Sequence, residues 1–254
     1  MMSFKLMRLA VLLPLLITLG KASFTPAQAQ PLGIKTPLIL ASPDLANPFI
    51  DIEDTAGKTE IIQLTQLGVI TTGSNRFNPG DPIQRDEFIA WLVKSYNALH
   101  RTPIPLSSRS IPAFPDVSSS NPYFIYIQSA YDAGLITGFE DGEFKPNDPL
   151  TREQMISLKS QLDSKGKDSR NPTQLRRYLQ DTRGFNDVAE MGDQYLTYIA
   201  FDAGNGAGGR NFERLYGDTR VYAPKAAVTR EEAAILVSKF RKGQPIDKVL
   251  TTTR

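Results

Sequence analysis

The segment Asp148-Pro149-Leu150-Thr151-Arg152-Glu153-Gln154 lies in a longer stretch, FKPNDPLTREQM at 144–155, that the chain repeats in altered form. FNPGDPIQRDEF stands at 77–88 and VYAPKAAVTREEA at 221–233. Three related loops in one chain indicate an internal repeat. Repeats of this size are supersecondary units that bury their apolar faces only by packing against one another.

Two further motifs precede each loop in a constant order. The first is Phe-x-Asp followed by an aliphatic residue, beginning at Phe49, Phe114 and Phe185. The second is a glycine-rich turn at 68–73, 134–138 and 204–208. These landmarks predict a first copy at 49–102, a second copy at 114–163 and a third copy at 185–241. The third copy is the longest and is predicted to carry an insertion near 204–218.

Each copy is predicted to fold as helix, loop, helix. In the second copy, apolar residues recur at helical spacing before Gly134, which stands where a helix C-terminus favours positive φ. After the loop, Thr151 precedes Gln154 by three residues and Thr229 precedes Glu232 by three, which is the spacing of a capping box. The first copy has Gln84 in the cap position, so its cap should be weaker. The predicted fold class is therefore all-α.

The second copy, GLITGFEDGEFKPNDPLTREQ at 134–154, resembles the S-layer homology (SLH) repeat. The resemblance implies a pseudo-threefold bundle of helices around a central axis. It also implies non-covalent binding to cell-wall glycan, often one carrying pyruvate ketals, so that an exported protein stays on the wall. Two copies depart from the family pattern. The first lacks the Asp-Gly turn, and the third has Lys225-Ala226-Ala227 in place of Asn-Asp-Pro.

The arginine that opens the second helix of each copy is the main candidate for ligand binding: Arg85, Arg152 and Arg230. A positive charge at a helix N-terminus opposes the helix dipole, so its repeated use needs a reason beyond helicity. One reason is an exposed guanidinium beside free helix N–H groups, which would bind a carboxylate such as that of a pyruvylated sugar. The alternative is an intramolecular salt bridge.

Two residues of the second copy complete the candidate ligand-binding set, Asp116 and Gly138. Asp116 and its equivalents, Asp51 and Asp187, have two open interpretations. They cap a helix or loop, as Asp does well, or they bind sugar hydroxyls. No catalytic residue and no metal ligand is predicted.

The segments outside the copies are assigned by composition. Lys5 and Arg8, an apolar run at 9–19 and an Ala-x-Ala end predict a signal peptide at 1–29, and hence export. Residues 30–48 are predicted to be a proline-rich leader, 103–113 a linker, 164–184 a basic linker and 242–254 a polar tail. The basic linker is either solvated or in electrostatic contact with an anionic wall polymer.

Composition excludes several functional classes. Without 1–29 the chain has 26 Lys and Arg against 27 Asp and Glu, which gives no reason to expect nucleic acid as a partner. It has no cysteine and a single histidine, His100, so common metal and triad chemistry is hard to build. Gly204-x-Gly206-x-x-Gly209 matches a dinucleotide pattern literally but follows a helix-like segment, so no cofactor is predicted. No later apolar run is long enough for a transmembrane segment.

Three hypotheses of function are compared. The leading one is a binding module that attaches to cell-wall polysaccharide, at the wall, in the periplasm or at the cell surface, associated with peptidoglycan. The alternative is a structural or adaptor protein whose repeats bind another envelope protein. An enzyme is not predicted, because a glycan hydrolase needs two carboxylates at a set separation and no further domain is present to hold them.

Overall fold

The computed structural model describes residues 47–71, 73–164, 169–205 and 210–252. Within these ranges the chain is helical and contains no extended strand, which confirms the all-α prediction. The predicted signal peptide, the leader up to residue 46, Lys165, Lys167, Gly206, Gly208 and Gly209 lie outside the described residues.

The helices follow the predicted order of helix, loop, helix. The helices are α1 (Lys58–Gln66), α2 (Arg85–Leu99), α3 (Phe124–Asp132), α4 (Arg152–Asp163), α5 (Pro172–Arg183), α6 (Asp193–Gly204), α7 (Asn211–Tyr216), α8 (Arg230–Val237) and α9 (Ile246–Thr252). The first copy contributes α1 and α2, the second α3 and α4, and the third α6 and α8. Helix α7 lies within the insertion predicted for the third copy.

A closed ring of three backbone hydrogen bonds marks the pseudo-threefold axis. The N–H of Ile83 donates to the carbonyl of Val228, Val228 donates to Leu150, and Leu150 donates back to Ile83, each over 3.0 Å. The three side chains are fully buried. Because each copy gives one donor and one acceptor to the ring, the three loops hold one another at a common centre.

A second set of backbone bonds surrounds this ring. The N–H of each loop arginine donates to a carbonyl of the next copy: Arg85 to Asp148 (3.0 Å), Arg152 to Ala226 (2.9 Å) and Arg230 to Asp81 (2.9 Å). The following residue of each helix donates to Pro146, Pro224 and Pro79 respectively, each over 3.1 Å. The first N–H groups of a helix have no partner inside the helix. Here they are satisfied by the neighbouring copy, so the expectation of free helix N–H groups beside the arginines is wrong.

The three copies share one apolar core. The second helix of each copy packs against the first helix of the next, in the pairs α2 with α3, α4 with α6 and α8 with α1. Within each copy the Phe-x-Asp phenylalanine meets the aromatic residue that opens the loop. The ring centroids are 5.5 Å apart for Phe49 and Phe77, 5.4 Å for Phe114 and Phe144, and 5.3 Å for Phe185 and Tyr222. Such pairs contribute about 0.5–1.5 kcal/mol beyond their buried area.

Helix α5 corrects the interpretation of 164–184 as a solvated basic linker. Residues 172–183 are helical and bury Leu175 and Leu179 against the third copy. The Arg176 guanidinium is used structurally, because it donates to the carbonyls of Val188 (3.1 Å) and Met191 (2.7 Å). The predicted polar tail also contains a helix, α9, whose Ile246 is buried.

Candidate functional site

The aspartate of each Phe-x-Asp motif holds the start of its own loop. Its two carboxylate oxygens accept the N–H groups of two successive loop residues. Asp51 binds Phe77 (2.8 Å) and Asn78 (2.9 Å), Asp116 binds Phe144 (2.9 Å) and Lys145 (2.6 Å), and Asp187 binds Tyr222 (3.0 Å) and Ala223 (2.7 Å). In every copy the second of these residues has a positive φ, at 55°, 60° and 51°.

This conformation is unfavourable for residues other than glycine, and the paired hydrogen bonds stabilise it. Burial alone would raise the pKa of the Asp51 carboxyl, but the two N–H donors and nearby Arg76 hold it below its ordinary value. The structure therefore shows a loop-capping role for all three aspartates. Ligand binding by Asp116 remains a prediction, and both of its oxygens already accept loop N–H groups.

Gly138 lies in a turn that only glycine fits. Its φ is +78°, and a Cβ there would come within 2.8 Å of the Phe114 ring and 3.0 Å of the Glu143 carbonyl oxygen. The turn places the next residue, Phe139, with its ring centroid 4.7 Å from the guanidinium carbon of Arg85. Gly138 thus lies beside an arginine site, although its own role as a ligand-binding residue remains a prediction.

The three loop arginines make equivalent contacts across the copy boundaries. Each guanidinium donates to the carbonyl of the aromatic residue that opens the next loop. Arg85 Nε donates to Phe144 (2.9 Å), Arg152 Nη1 to Tyr222 (2.7 Å) and Arg230 Nε to Phe77 (2.8 Å). Every arginine therefore ties its own helix to the next loop. This inter-copy contact was missed from the sequence, which contains no information about which copies are neighbours.

Arg230 and Arg152 have their positive charge covered by groups of this chain. The Arg230 guanidinium forms an ion pair with Glu87 and lies over the rings of Phe77 and Trp91, at 4.9 and 5.1 Å. The Arg152 guanidinium lies 3.8 Å from the ring centroid of Tyr216, a residue of the inserted helix α7. The salt-bridge alternative is thus present at Arg230.

Arg85 differs from the other two. Its guanidinium lies between the rings of Phe139 and Phe144, at 4.7 and 4.9 Å, and it makes no ion pair with any described residue. The residue equivalent to Glu87 is Gln154 in the second copy, which is neutral. Burial of Arg85, which is 7% exposed, lowers its pKa from the ordinary value. The expected exposed guanidinium is therefore wrong at Arg85. Neither Arg85 nor Arg152 forms an ion pair with a carboxylate of the described chain, although Asp148 and Asp116 act electrostatically on Arg85 from beyond ion-pair distance.

The acidic residue that follows each arginine also crosses to the next copy. Asp86 accepts a hydrogen bond from the Asn121 side chain, while Glu153 and Glu231 accept from the N–H groups of Gly192 and Gly57, each over 2.8 Å. An acid at the same place in all three copies was the signal that could have identified this contact.

The capping boxes form as predicted but differ in quality. At Thr229 the hydroxyl accepts from Glu232 N–H (3.1 Å) and Glu232 Oε2 accepts from Thr229 N–H (2.8 Å). At Thr151 the return bond to Gln154 is present at 3.1 Å, while the threonine hydroxyl is buried without a well-formed hydrogen bond. Gln84 makes no side-chain cap, in agreement with the prediction for the first copy.

Comparison with known proteins supports the repeat assignment for two copies. Residues 48–89 and 113–156 match the S-layer homology domain. The matched ranges contain the Phe-x-Asp motif, the loop and the first turn of the second helix in both copies. The third copy has no such match, although it completes the same backbone rings.

Three large enzymes share sequence with this chain over part of their length. An endoglucanase of Bacillus sp. (strain KSM-635) is 27% identical over 93% of this chain and 22% of its own length. The exoglucanase XynX of Acetivibrio thermocellus is 29% identical over 74% of this chain and 16% of its own. An amylopullulanase of Thermoanaerobacterium thermosulfurigenes is also 29% identical over 74% of this chain, and over 9% of its own length. The chain thus spans less than a quarter of each relative.

Proposed function

We propose that this protein is a non-catalytic module that attaches to the cell surface by binding a wall polysaccharide. The observation that carries the proposal is the SLH match of 48–89 and 113–156, within a structure whose three loops close into one ring. The relatives are named as glycan-degrading enzymes, yet the similarity spans only 9–22% of their length. We attribute it to anchoring repeats that they share with this chain. No helix in the described part of the chain is long and apolar enough to cross a bilayer.

We further propose that the third copy is a divergent SLH repeat. It keeps the Phe-x-Asp clamp, by which the aspartate accepts two loop N–H groups, through Asp187. It also keeps the arginine contact to the next copy through Arg230. Its inserted helix α7 brings Tyr216 over Arg152. At the boundary between the second and third copies, a ring of this chain therefore already stacks on the loop arginine, which stays partly exposed.

We use the term arginine groove for each loop arginine together with the residues that its guanidinium contacts. The groove at Arg85, formed with Phe139 and Phe144, is the proposed contact for an acidic sugar. A wall glycan with a carboxylate, such as a pyruvate ketal, would supply the negative charge that Arg85 lacks, and the rings of Phe139 and Phe144 would exclude water from the contact. Arg230 already has Glu87 in that role, so its groove is expected to bind such a group less well.

Co-sedimentation of the protein with purified sacculi tests the proposal. Loss of a charge-assisted contact at Arg85 should weaken binding by roughly 10- to 150-fold, which corresponds to about 1.5–3 kcal/mol. Arg85→Lys should restore only part of it, because the ammonium lacks the planar donor geometry. Arg152→Lys, where Tyr216 already stacks on the guanidinium, is the matched control and should leave binding nearly unchanged. Removal of the attached polysaccharide from the sacculi should abolish binding by the unaltered protein.

Stability must be measured on the same samples, since Arg85 also holds the Phe144 carbonyl. If folded Arg85→Lys and Arg85→Gln proteins sediment with sacculi as well as the unaltered chain does, the groove assignment is refuted. If the unaltered chain also fails to bind sacculi, the anchoring function itself is refuted.

The adaptor alternative has one structural observation in its favour. The linker at 103–113 lies along α3, where Gln128 Nε2 donates to the Ile111 carbonyl over 2.9 Å. Leu106 and Ile111 of this linker are exposed by 52% and 76%, and Ile125 of α3 is exposed as well. Binding to sacculi that appears only when a second envelope protein is added would favour the adaptor function.

A further inference from the structure

A cationic cavity lies on the third copy, apart from the three arginine grooves. It is formed by the end of α4, the inserted helix α7 and the segment that follows α8. Its volume is about 30 Å³. It is lined by four cationic side chains, one carboxylate, one amide and one ring: Arg210, Arg214, Lys239, Arg241, Asp163, Asn211 and Phe240.

Both oxygens of the single carboxylate in this cavity, that of Asp163, already have partners in the protein. Asp163 Oδ2 forms an ion pair with the buried Lys159 at 2.5 Å, and its Oδ1 accepts the N–H of Arg241 over 2.9 Å. Asp163 therefore neutralises Lys159, a fifth cation behind the cavity wall. Asp163 also acts electrostatically on Arg214, but it forms no ion pair with any of the four lining cations.

Two of the lining cations also contact other groups of the protein. Arg210 forms an ion pair with Glu213 at 2.8 Å, and Arg214 Nη2 donates to the Leu236 carbonyl at the end of α8 over 2.9 Å. Glu60 and Asp202 also act electrostatically on Arg214, but neither forms an ion pair with it. Burial lowers the pKa of Arg214, so its charge is held at a cost in a region with little water.

Lys239 and Arg241 make no ion pair with any residue the structure describes, and both are exposed at the mouth of the cavity. Two like charges side by side repel each other, although Lys239, just beyond the C-terminus of α8, is favoured by the negative end of the helix dipole. A covering anion would remove this repulsion.

A buried amide gives independent support for a ligand. Asn211 is 5% exposed. Its side chain interacts with the Asp202 carboxyl, but its Nδ2 makes no hydrogen bond of acceptable geometry. The nearest carboxylate, Asp202, uses its two oxygens for the backbone N–H groups of Asn211 (2.7 Å) and Phe212 (2.9 Å). A buried donor without a well-formed hydrogen bond is costly, and an acceptor atom placed in the cavity would satisfy it.

We propose that this cavity binds a tetrahedral oxyanion, a phosphate group, through Arg214, Lys239, Arg241 and the Asn211 amide. The donors approach from two separate segments, which suits oxygens that point in several directions better than the two coplanar oxygens of a carboxylate. The site uses the insertion of the third copy and no residue of the arginine grooves, so it does not depend on the proposed binding of an acidic sugar.

Isothermal titration of the full chain with inorganic phosphate, at constant ionic strength set with chloride, tests this site. The Lys239→Gln/Arg241→Gln protein should bind phosphate at least about tenfold more weakly, because both charged donors are lost. The matched control is Arg101→Gln/Arg177→Gln, which removes the same charge from exposed positions elsewhere and should bind like the unaltered chain. Equal phosphate affinity in the unaltered chain and the Lys239/Arg241 variant would overturn the proposal.

Parallel titrations separate the possible sources of the anion. A short glycerol phosphate oligomer, which carries phosphodiesters, should bind at least as tightly as inorganic phosphate if the natural ligand is a polymer. Tighter binding of the free ion would assign the site to inorganic phosphate instead, which supports the same oxyanion chemistry. Acetate that binds as tightly as phosphate would overturn the assignment to a tetrahedral oxyanion.

Discussion

The ion pair between Arg230 and Glu87 should be one of the main stabilising contacts between the third and first copies. The two side chains are only 16% and 13% exposed, and the guanidinium also donates to the Phe77 carbonyl. Breaking a buried pair by removing one partner costs about 3–5 kcal/mol, since the remaining charge is left uncompensated. Because both groups keep some contact with solvent, Arg230→Gln should lower the free energy of unfolding by about 3 kcal/mol.

Urea unfolding followed by circular dichroism measures this loss, and a double-mutant cycle assigns it. For a domain of this size the same change should lower Tm by roughly 6–12 °C. Glu87→Gln combined with Arg230→Gln leaves no unpaired charge, so the double variant should be more stable than Arg230→Gln alone. The coupling energy should be about 1–3 kcal/mol. Strictly additive losses, or a loss from Arg230→Gln no larger than from exposed Arg177→Gln, would refute the reasoning.

Three further changes should affect stability in measurable ways. Thr229→Ala should cost about 1 kcal/mol in urea unfolding through its lost N-cap, whereas Thr151→Ala should cost clearly less, because the Thr151 hydroxyl makes no well-formed hydrogen bond. Equal losses would contradict the difference between the two caps. Asp116→Ala should lower Tm by several degrees and make the loop at 144–145 sensitive to proteolysis, because two backbone donors lose their acceptor. An unchanged Tm would count against the clamp. Burial lowers the pKa of Lys159 to about 8, below its unfolded value of about 10.4, so the unfolded chain binds more protons between these values. The free energy of unfolding should therefore rise with pH over this window, and the rise should vanish in Lys159→Met.

The order of motifs was enough to predict the helices and their neighbours in sequence. Gly134 ends the first helix of the second copy at a φ of +69°, and the capping boxes begin α4 and α8, because these are local interactions encoded within a few residues. Helix α5 was missed even though Asn171, Pro172 and Gln174 form a cap ahead of Leu175 and Leu179. The abundance of basic residues in 164–184 had suggested a solvated segment.

The candidate site was only partly predictable because its contacts cross from copy to copy. Arg85, Arg152 and Arg230 were correctly placed at one equivalent position, and the structure shows all three in equivalent contacts with the next loop. Their differences arise from residues more than 50 positions away in the sequence, such as Glu87 for Arg230 and Tyr216 for Arg152. A local pattern carries no information about such distant partners.

The ring formed by Ile83, Leu150 and Val228 restricts how such a chain can grow. Each loop gives its donor to one neighbour and its acceptor to the other, so three loops use up every bonding group at the centre. The loop of a fourth copy added in tandem would find no free N–H or carbonyl group there. It would have to form a second ring with a fifth and a sixth copy. Evolution by duplication should therefore proceed in steps of three, and a chain with two copies would have to borrow the missing loop from another molecule.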